Sequence, residues 1–209
     1  METDCAIVGS GPAGLMLALL LARRGVRVVV LEQHGDFLRD FRGDTIHPST
    51  QQVLHEIGLL ERFLALPHAD MPQVSMRFSG HRLVLADFTR LPTARRCITF
   101  MPQWDFLDLL ADAGRALPGF DVRMRHTGRA LLRDGGRIMG VLADGPDGPV
   151  EVRARLTVLA DGRDSALRDD AGLEPVGPPS AIDVLWFRLP RTEGERVPFM
   201  QIGDGALLS

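Results

Sequence analysis

The sequence has two cysteines, no lysine, no block of basic charge and no apolar run long enough to cross a bilayer. Cys5 and Cys97 are too few for a disulfide framework and have no metal-ligand spacing. Both lie in apolar, strand-like stretches, where buried free thiols in a reducing compartment are expected. All 24 basic residues are arginines scattered along the chain, and the net charge is −3. That balance gives no footprint for nucleic acid or an anionic membrane as a partner. The apolar stretch over residues 15–22 falls far short of the ~20 residues a membrane span needs. The start, Met1-Glu2-Thr3-Asp4, is acidic and runs straight into a strand pattern, so no signal peptide is expected and a cytoplasmic location follows. No metal site, internal repeat or low-complexity segment is expected either. What is present suits a globular protein of one or two domains: 209 residues, 45% hydrophobic and 24% charged, enough to bury a real core.

The most informative stretch is the first thirty-two residues. A β-branched run ending at Val8 reads as a buried strand, and residues 26–31 read as a second. Between them lies Gly9-Ser10-Gly11-Pro12-Ala13-Gly14 and then an apolar helix, with Pro12 in its first turn and Gly25 at its end. Gly9 allows a tight turn, Gly11 lets the backbone approach a pyrophosphate, and Gly14 lets helix and strand pack closely. The helix N-terminus presents N–H groups and positive dipole to that anion. Glu32 closes the second strand, near the spacing at which an acid accepts hydrogen bonds from an adenosine ribose. Glycines also mark ordinary turns, but here strand, helix and acid are all in place, so a dinucleotide site is expected.

Residues 33–49 form a polar, Arg- and Gly-bearing loop too long for a simple turn. Ser49 or Thr50 is expected to cap a helix carrying Val53, Leu54 and Ile57, ended by Gly58. Residues 59–66 read as another short helix. Residues 73–78 and 82–88 alternate like an antiparallel hairpin, and 97–100 is a further strand. Residues 103–117 carry a helical stripe through Phe106, Leu107, Leu110, Ala111 and Ala113. Strands follow at 121–125, 130–132, 138–143 and 150–159, the last ending in Ala160-Asp161-Gly162. A short helix is expected over 164–171, a Pro/Gly-rich crossing at 174–180, and strands at 182–189 and 197–202.

Three further places could carry chemistry. Asp161 and Gly162 stand at the carboxyl end of a strand, where ligands bind in open α/β sheets. The equal alternative is a strand-to-helix turn in which Asp or Ser caps the helix. Arg42 could pair with a pyrophosphate, or be a solvated loop arginine. Gln103 could be a ligand or an ordinary first-turn residue, and His47 a catalytic or a plain loop histidine.

Together, Gly9/Gly11/Gly14, Glu32, Arg42, Gln103 and Asp161-Gly162-x-x-Ser165-x-x-Arg168 resemble the flavin-dependent aromatic hydroxylases. These are the class A monooxygenases similar to p-hydroxybenzoate hydroxylase, and the resemblance runs over residues 4–189. It implies an α/β fold: a Rossmann-like FAD/NAD(P)-binding fold with a β-meander, plus part of an antiparallel substrate-domain sheet. It implies an FAD-binding domain over residues 1–179, with 73–100 lending strands to a substrate domain that begins at 180–209. The glycine loop, with Pro12 and Ala13, would hold the FAD pyrophosphate, and Glu32 the adenosine ribose, with Gln33 in the same cofactor-binding set. Arg42 and Gln103 would contact the pyrophosphate and ribityl region, Asp161 and Gly162 would lie close to the FAD, and His47 would be a candidate facing the flavin ring. The implied activity is hydroxylation of an aromatic or polyketide-like small molecule with NADH or NADPH as co-substrate and dioxygen as oxidant.

The sequence also departs from that family. Its members run to about twice this length and carry a later Gly-Asp motif. Gly203-Asp204 comes too early and lacks the residues that follow in the family. Two alternatives therefore stay open: a non-hydroxylating flavin oxidoreductase of the same fold, or a truncated, non-catalytic FAD-fold fragment. A halogenase would want a substrate-domain lysine, and there is none. A homodimer, or association with a missing C-terminal part, are the protein partners left open.

Overall fold

The computed structural model describes residues 1–38, 44–78, 81–174, 176–177, 185, 200–203 and 206–208. In chain order the first elements are β1 (Glu2–Val8), α1 (Pro12–Ala22), β2 (Val28–Glu32), β3 (Thr45–Ile46), α2 (Pro48–Glu56) and α3 (Leu60–Leu64). Then come β4 (Ala69–Met71), β5 (Gln73–Phe78), β6 (His81–Asp87), β7 (Ile98–Phe100), α4 (Gln103–Arg115) and β8 (Phe120–Met124). Last are β9 (Thr127–Asp134), β10 (Arg137–Gly145), β11 (Gly148–Leu159), α5 (Ala166–Asp170), β12 (Met200–Gly203) and β13 (Ala206–Leu208). The loop position Arg42 and, Leu185 excepted, the strand expected over 182–189 lie outside the described residues.

The chain divides into two units: Met1–Arg39 with Trp104–Ala181, and Asp40–Gln103 with Ile182–Ser209. The first is built on a six-stranded sheet in the order β8-β2-β1-β11-β10-β9. β8, β2, β1 and β11 run parallel, in a register that pairs Val8 with both Leu31 and Leu159, and Glu32 with Met124. Four strands thus end together at one edge of the sheet. β10 and β9 continue it as an antiparallel meander. Parallel strands are covered on both faces and so read as unbroken apolar runs. β2, Val-Val-Val-Leu-Glu, is buried at every position.

Alternation along the strands separates two faces. Ala6, Val8, Val29 and Leu31 form one buried cluster with Leu131, Val141, Ala143, Val152, Ala154 and Leu167. Ile7, Val28 and Val30, buried to 1% exposure or less, point the other way. α1 packs on β1 and β2 through Leu15, Ala18, Leu19 and Ala22. Burial of each Val or Leu side chain contributes about 1.5–3 kcal/mol, so this repeated apolar spacing holds the parallel sheet together.

The second unit contains a four-stranded sheet, β13-β12-β5-β6, and a three-stranded one, β3-β7-β4. β5 and β6 form the expected hairpin, with Phe78 opposite His81. β7 is paired on both sides, by β3 and β4, neither of which the sequence pattern shows.

One expectation needs correction. α2 starts at Pro48 behind an extended His47, not at a Ser49 or Thr50 cap. Proline's fixed φ suits a first helical position, and that outweighs a hydroxyl cap one or two residues on. The strand expected at 121–125 is β8, which pairs in parallel with β2 at the sheet edge opposite the meander; alternation marks a strand without saying which edge it joins.

Candidate functional site

The site grows from the edge where the parallel strands end. Three chain segments are laced together there. The Gly9 N–H donates to Leu31 O at 2.8 Å, and the Ala160 N–H donates to Val8 O at 2.7 Å. Gly9 has φ +100°, and a Cβ on it would stand 2.3 Å from Ala160 O and 2.8 Å from the Asp161 nitrogen. A Cβ on Gly14 would stand 2.0 Å from Gly9 O. These two glycines let helix, turn and the end of β11 close on one another. Gly11 differs: φ −65° and ψ 179° suit any residue, and a Cβ there meets nothing within 4 Å. Its bare backbone faces open space at the N-terminus of α1.

The first intrahelical bond of α1 runs from the Leu15 N–H to Gly11 O, so the amides before Leu15 stand outside the helix ladder and carry its positive end. Pro12 and Ala13 are exposed there. Facing this turn is Glu32, a carboxylate only 5% exposed. Its Oε2 accepts from the Ser10 Oγ–H at 2.5 Å and the Ser10 N–H at 3.1 Å. Its Oε1 accepts from the His34 N–H at 2.9 Å. Glu32 therefore ties the glycine turn to the end of β2. Ser10 is the residue missed from sequence; its signal was a hydroxyl between the two glycines, 22 positions from the acid that buries it. Gln33 is exposed beside them, with its Nε2 3.3 Å from His34 Nε2.

Asp161 and Gly162 follow β11, against Gly9, and Gly162 has φ +91°. Ser165 caps α5, its Oγ accepting from the Arg168 N–H at 3.1 Å, and Arg168 Nη1 donates to Arg163 O at 2.9 Å. The capping reading holds for Ser165, while the Asp161 backbone lies against the glycine turn at Gly9.

The structure thus brings together Gly9, Gly11, Pro12, Ala13, Gly14, Glu32, Gln33, Asp161 and Gly162 in the first unit. His47 and Gln103 belong to the second unit. His47 is the exposed residue before α2, its carbonyl accepting from the Gln51 N–H at 3.1 Å. The Gln103 N–H donates to Asp44 Oδ1 at 3.3 Å. Arg42 lies outside the described residues.

The second unit has its own buried polar network. Gln51, fully buried, donates through Nε2 to Ile46 O and Cys97 O, both at 2.8 Å. The Thr99 hydroxyl lies 2.7 Å from Asp70 Oδ1 and 3.3 Å from Gln51 Oε1, and Arg95 pairs with Asp70. Burial pushes the Cys97 thiol up, as it does Cys5, which makes both poor nucleophiles. Among the described residues no group of three or more His, Cys, Asp or Glu could hold a metal ion, and no helix is long and apolar enough to cross a membrane.

Residues 2–193 match the model of the FAD binding domain family. The whole chain is 33% identical to the 6-methylpretetramide 4-monooxygenase of Streptomyces rimosus, of which it covers 50%. It is 36% identical over 192 residues to the rifampicin monooxygenase of Streptomyces venezuelae, covering 92% of this chain and 38% of that protein. Among solved structures, the anhydrotetracycline hydroxylase of Streptomyces rimosus matches with a TM-score of 0.74 at 32% identity, over 86% of this chain and 36% of that one. The chain spans half the length, or less, of these relatives.

Proposed function

The chain belongs to the FAD binding domain family, and from that premise we propose that it is the FAD-holding part of a monooxygenase that hydroxylates an aromatic or polyketide-like substrate. The observation that carries the proposal is the bare Gly11 backbone at the head of α1, beside the buried Glu32. A cradle that a side chain would fill, backed by helix N–H groups and an acid at the next strand's end, suits a dinucleotide.

In this reading the amides of the glycine turn bind and orient the pyrophosphate, and Pro12 gives α1 its start without using a donor. Glu32 holds the adenosine ribose through its carboxylate, with Gln33 alongside. Asp161 and Gly162 border the same cofactor. Arg42 and Gln103 keep the roles the resemblance gives them, toward the pyrophosphate and ribityl part, and His47 stays a candidate toward the flavin ring. When bound, FAD would supply the redox chemistry of such a hydroxylation, for which NAD(P)H is the hydride source and dioxygen gives one oxygen atom to the ring and the other to water. The chain's own part is binding, orientation and exclusion of water from that chemistry.

The same reading includes a first domain over 1–179 that borrows strands at 73–100 for a substrate domain starting at 180–209. It includes NADPH among the co-substrates, a cytoplasmic location, and a homodimer or a C-terminal part as protein partner. The test is the visible absorbance spectrum of the purified chain, before and after incubation with FAD and desalting. Flavin bands near one per chain are expected. A colourless chain that cannot be reconstituted overturns the proposal.

A further inference from the structure

Ser10, between the first two glycines of the turn, is 0% exposed and so offers no surface to a ligand. A carboxylate accepts hydrogen bonds and does not donate them. The single hydroxyl proton of Ser10 therefore goes to Glu32 Oε2, 2.5 Å away. The Ser10 N–H reaches the same oxygen at 3.1 Å. Alanine in this place would keep the amide bond and most of the packing. What the hydroxyl adds is the shorter of two charge-assisted bonds to one buried acid.

Glu32 is held from two sides. On its own side, Oε1 accepts from the His34 N–H at 2.9 Å, and the Glu32 carbonyl accepts from the His126 N–H at 2.8 Å. From the end of the neighbouring strand β1 come the two Ser10 donors. A carboxylate bonded through both oxygens to two separate segments cannot turn about its last side-chain torsion without losing one of them. Its orientation is thus set before any ligand arrives. Ser10 also precedes Gly11, so one residue fixes the acid relative to the bare backbone at the head of α1.

A site binds more tightly when its polar groups are already in place, because the ligand does not have to order them. The hydroxyl of Ser10 does this for the acid rather than for the ligand. Resting on the proposed FAD site, we infer that Ser10 is a positioning residue for recognition of the adenosine ribose. It touches Glu32 and not the cofactor, and it holds the carboxylate where the ribose hydroxyls meet it. Its worth is therefore felt only by ligands that carry those hydroxyls, and only while Glu32 is present.

The test is calorimetric titration of the purified chain with FAD, ADP and dideoxyadenosine diphosphate, the ADP analogue lacking both ribose hydroxyls. Ser10→Ala is expected to weaken FAD and ADP binding about three- to tenfold, the net worth of one hydrogen bond. Its affinity for the dideoxy analogue should stay within twofold of wild type. In a Glu32→Ala chain, adding Ser10→Ala should weaken ADP binding no further, because the group through which Ser10 acts is gone. Ser10→Cys, of similar shape but with a far weaker donor, runs the same comparison if the alanine chain does not fold. An ADP affinity within twofold of wild type in Ser10→Ala overturns the inference and leaves the FAD site standing. So does an equal loss for ADP and the analogue, which would mean that the hydroxyl only shapes the turn, or a full further loss in the Glu32→Ala chain. A wild-type chain that binds neither FAD nor ADP, or does not tell ADP from the analogue, overturns the ribose site and the inference with it.

Discussion

Valine at Gly11 is expected to abolish FAD binding while leaving the fold intact, unlike alanine at either neighbouring glycine. At φ −65° and ψ 179° valine is unstrained, and its Cβ meets nothing within 4 Å. A change at this helix-capping position alters stability by about 1 kcal/mol or less, since a poorer cap and a stiffer unfolded chain act in opposite directions. For a chain of this size that is a melting shift of about 2–4 °C at most. The isopropyl group, however, fills the space a pyrophosphate needs to reach the helix amides. Losing two charge-assisted N–H bonds at about 1.5–3 kcal/mol each weakens FAD binding by a factor on the order of 10² to 10⁴. Gly9→Ala and Gly14→Ala put a Cβ 2.3 Å and 2.0 Å from backbone carbonyl oxygens. Those variants are expected to lose about 2–4 kcal/mol of stability from backbone strain and forced movement. Flavin fluorescence quenching and a thermal melt on the same preparations separate the two effects. Gly11→Val that holds FAD within threefold of wild type, or Gly14→Ala that melts like wild type, would refute this division of the glycines.

Glu32→Ala is expected to weaken FAD binding by about 1.5–3 kcal/mol. It should also cost stability, because the Ser10 hydroxyl and the Ser10 and His34 amides lose their acceptor; calorimetric titration and a denaturant melt together check this, and an unchanged FAD affinity would put the ribose elsewhere. Ser165→Ala removes the cap of α5 and should cost about 0.5–2 kcal/mol in chemical unfolding, with FAD affinity little changed, since Asp161 and Gly162 keep their place by Gly9. Burial works against ionisation of Asp70, but the Thr99 hydroxyl and the Arg95 guanidinium outweigh it and hold its carboxyl below the ordinary 3.8. A lowered folded-state pKa means stability present above that ordinary value and lost as pH falls through the folded one. The stability gap between wild type and Asp70→Asn, followed by urea unfolding, should be full at neutral pH and shrink below pH ~4; a gap constant down to pH ~2 would show that the charge contributes nothing.

The amino-acid sequence by itself determined the βαβ start, the glycine turn, the acid that ends β2, the β5–β6 hairpin, α4 and the strands of the meander. Each is written in local periodicity and in punctuation by glycine and proline. Tertiary structure decided which local pieces meet. β3 and β4, of two and three residues, exist because β7 offers each an edge. β8 joins β2 because the parallel sheet has an edge there, a fact no alternation pattern carries. The three glycines of one motif look alike in sequence. They separate into two that the fold needs and one left bare only when Ala160, about 150 positions away, closes on Gly9. Glu32 reads from sequence as a ligand acid, yet in the fold it also holds the glycine turn through Ser10. Contacts between residues far apart in the chain leave no periodic trace, and the chemistry of this site is made of such contacts.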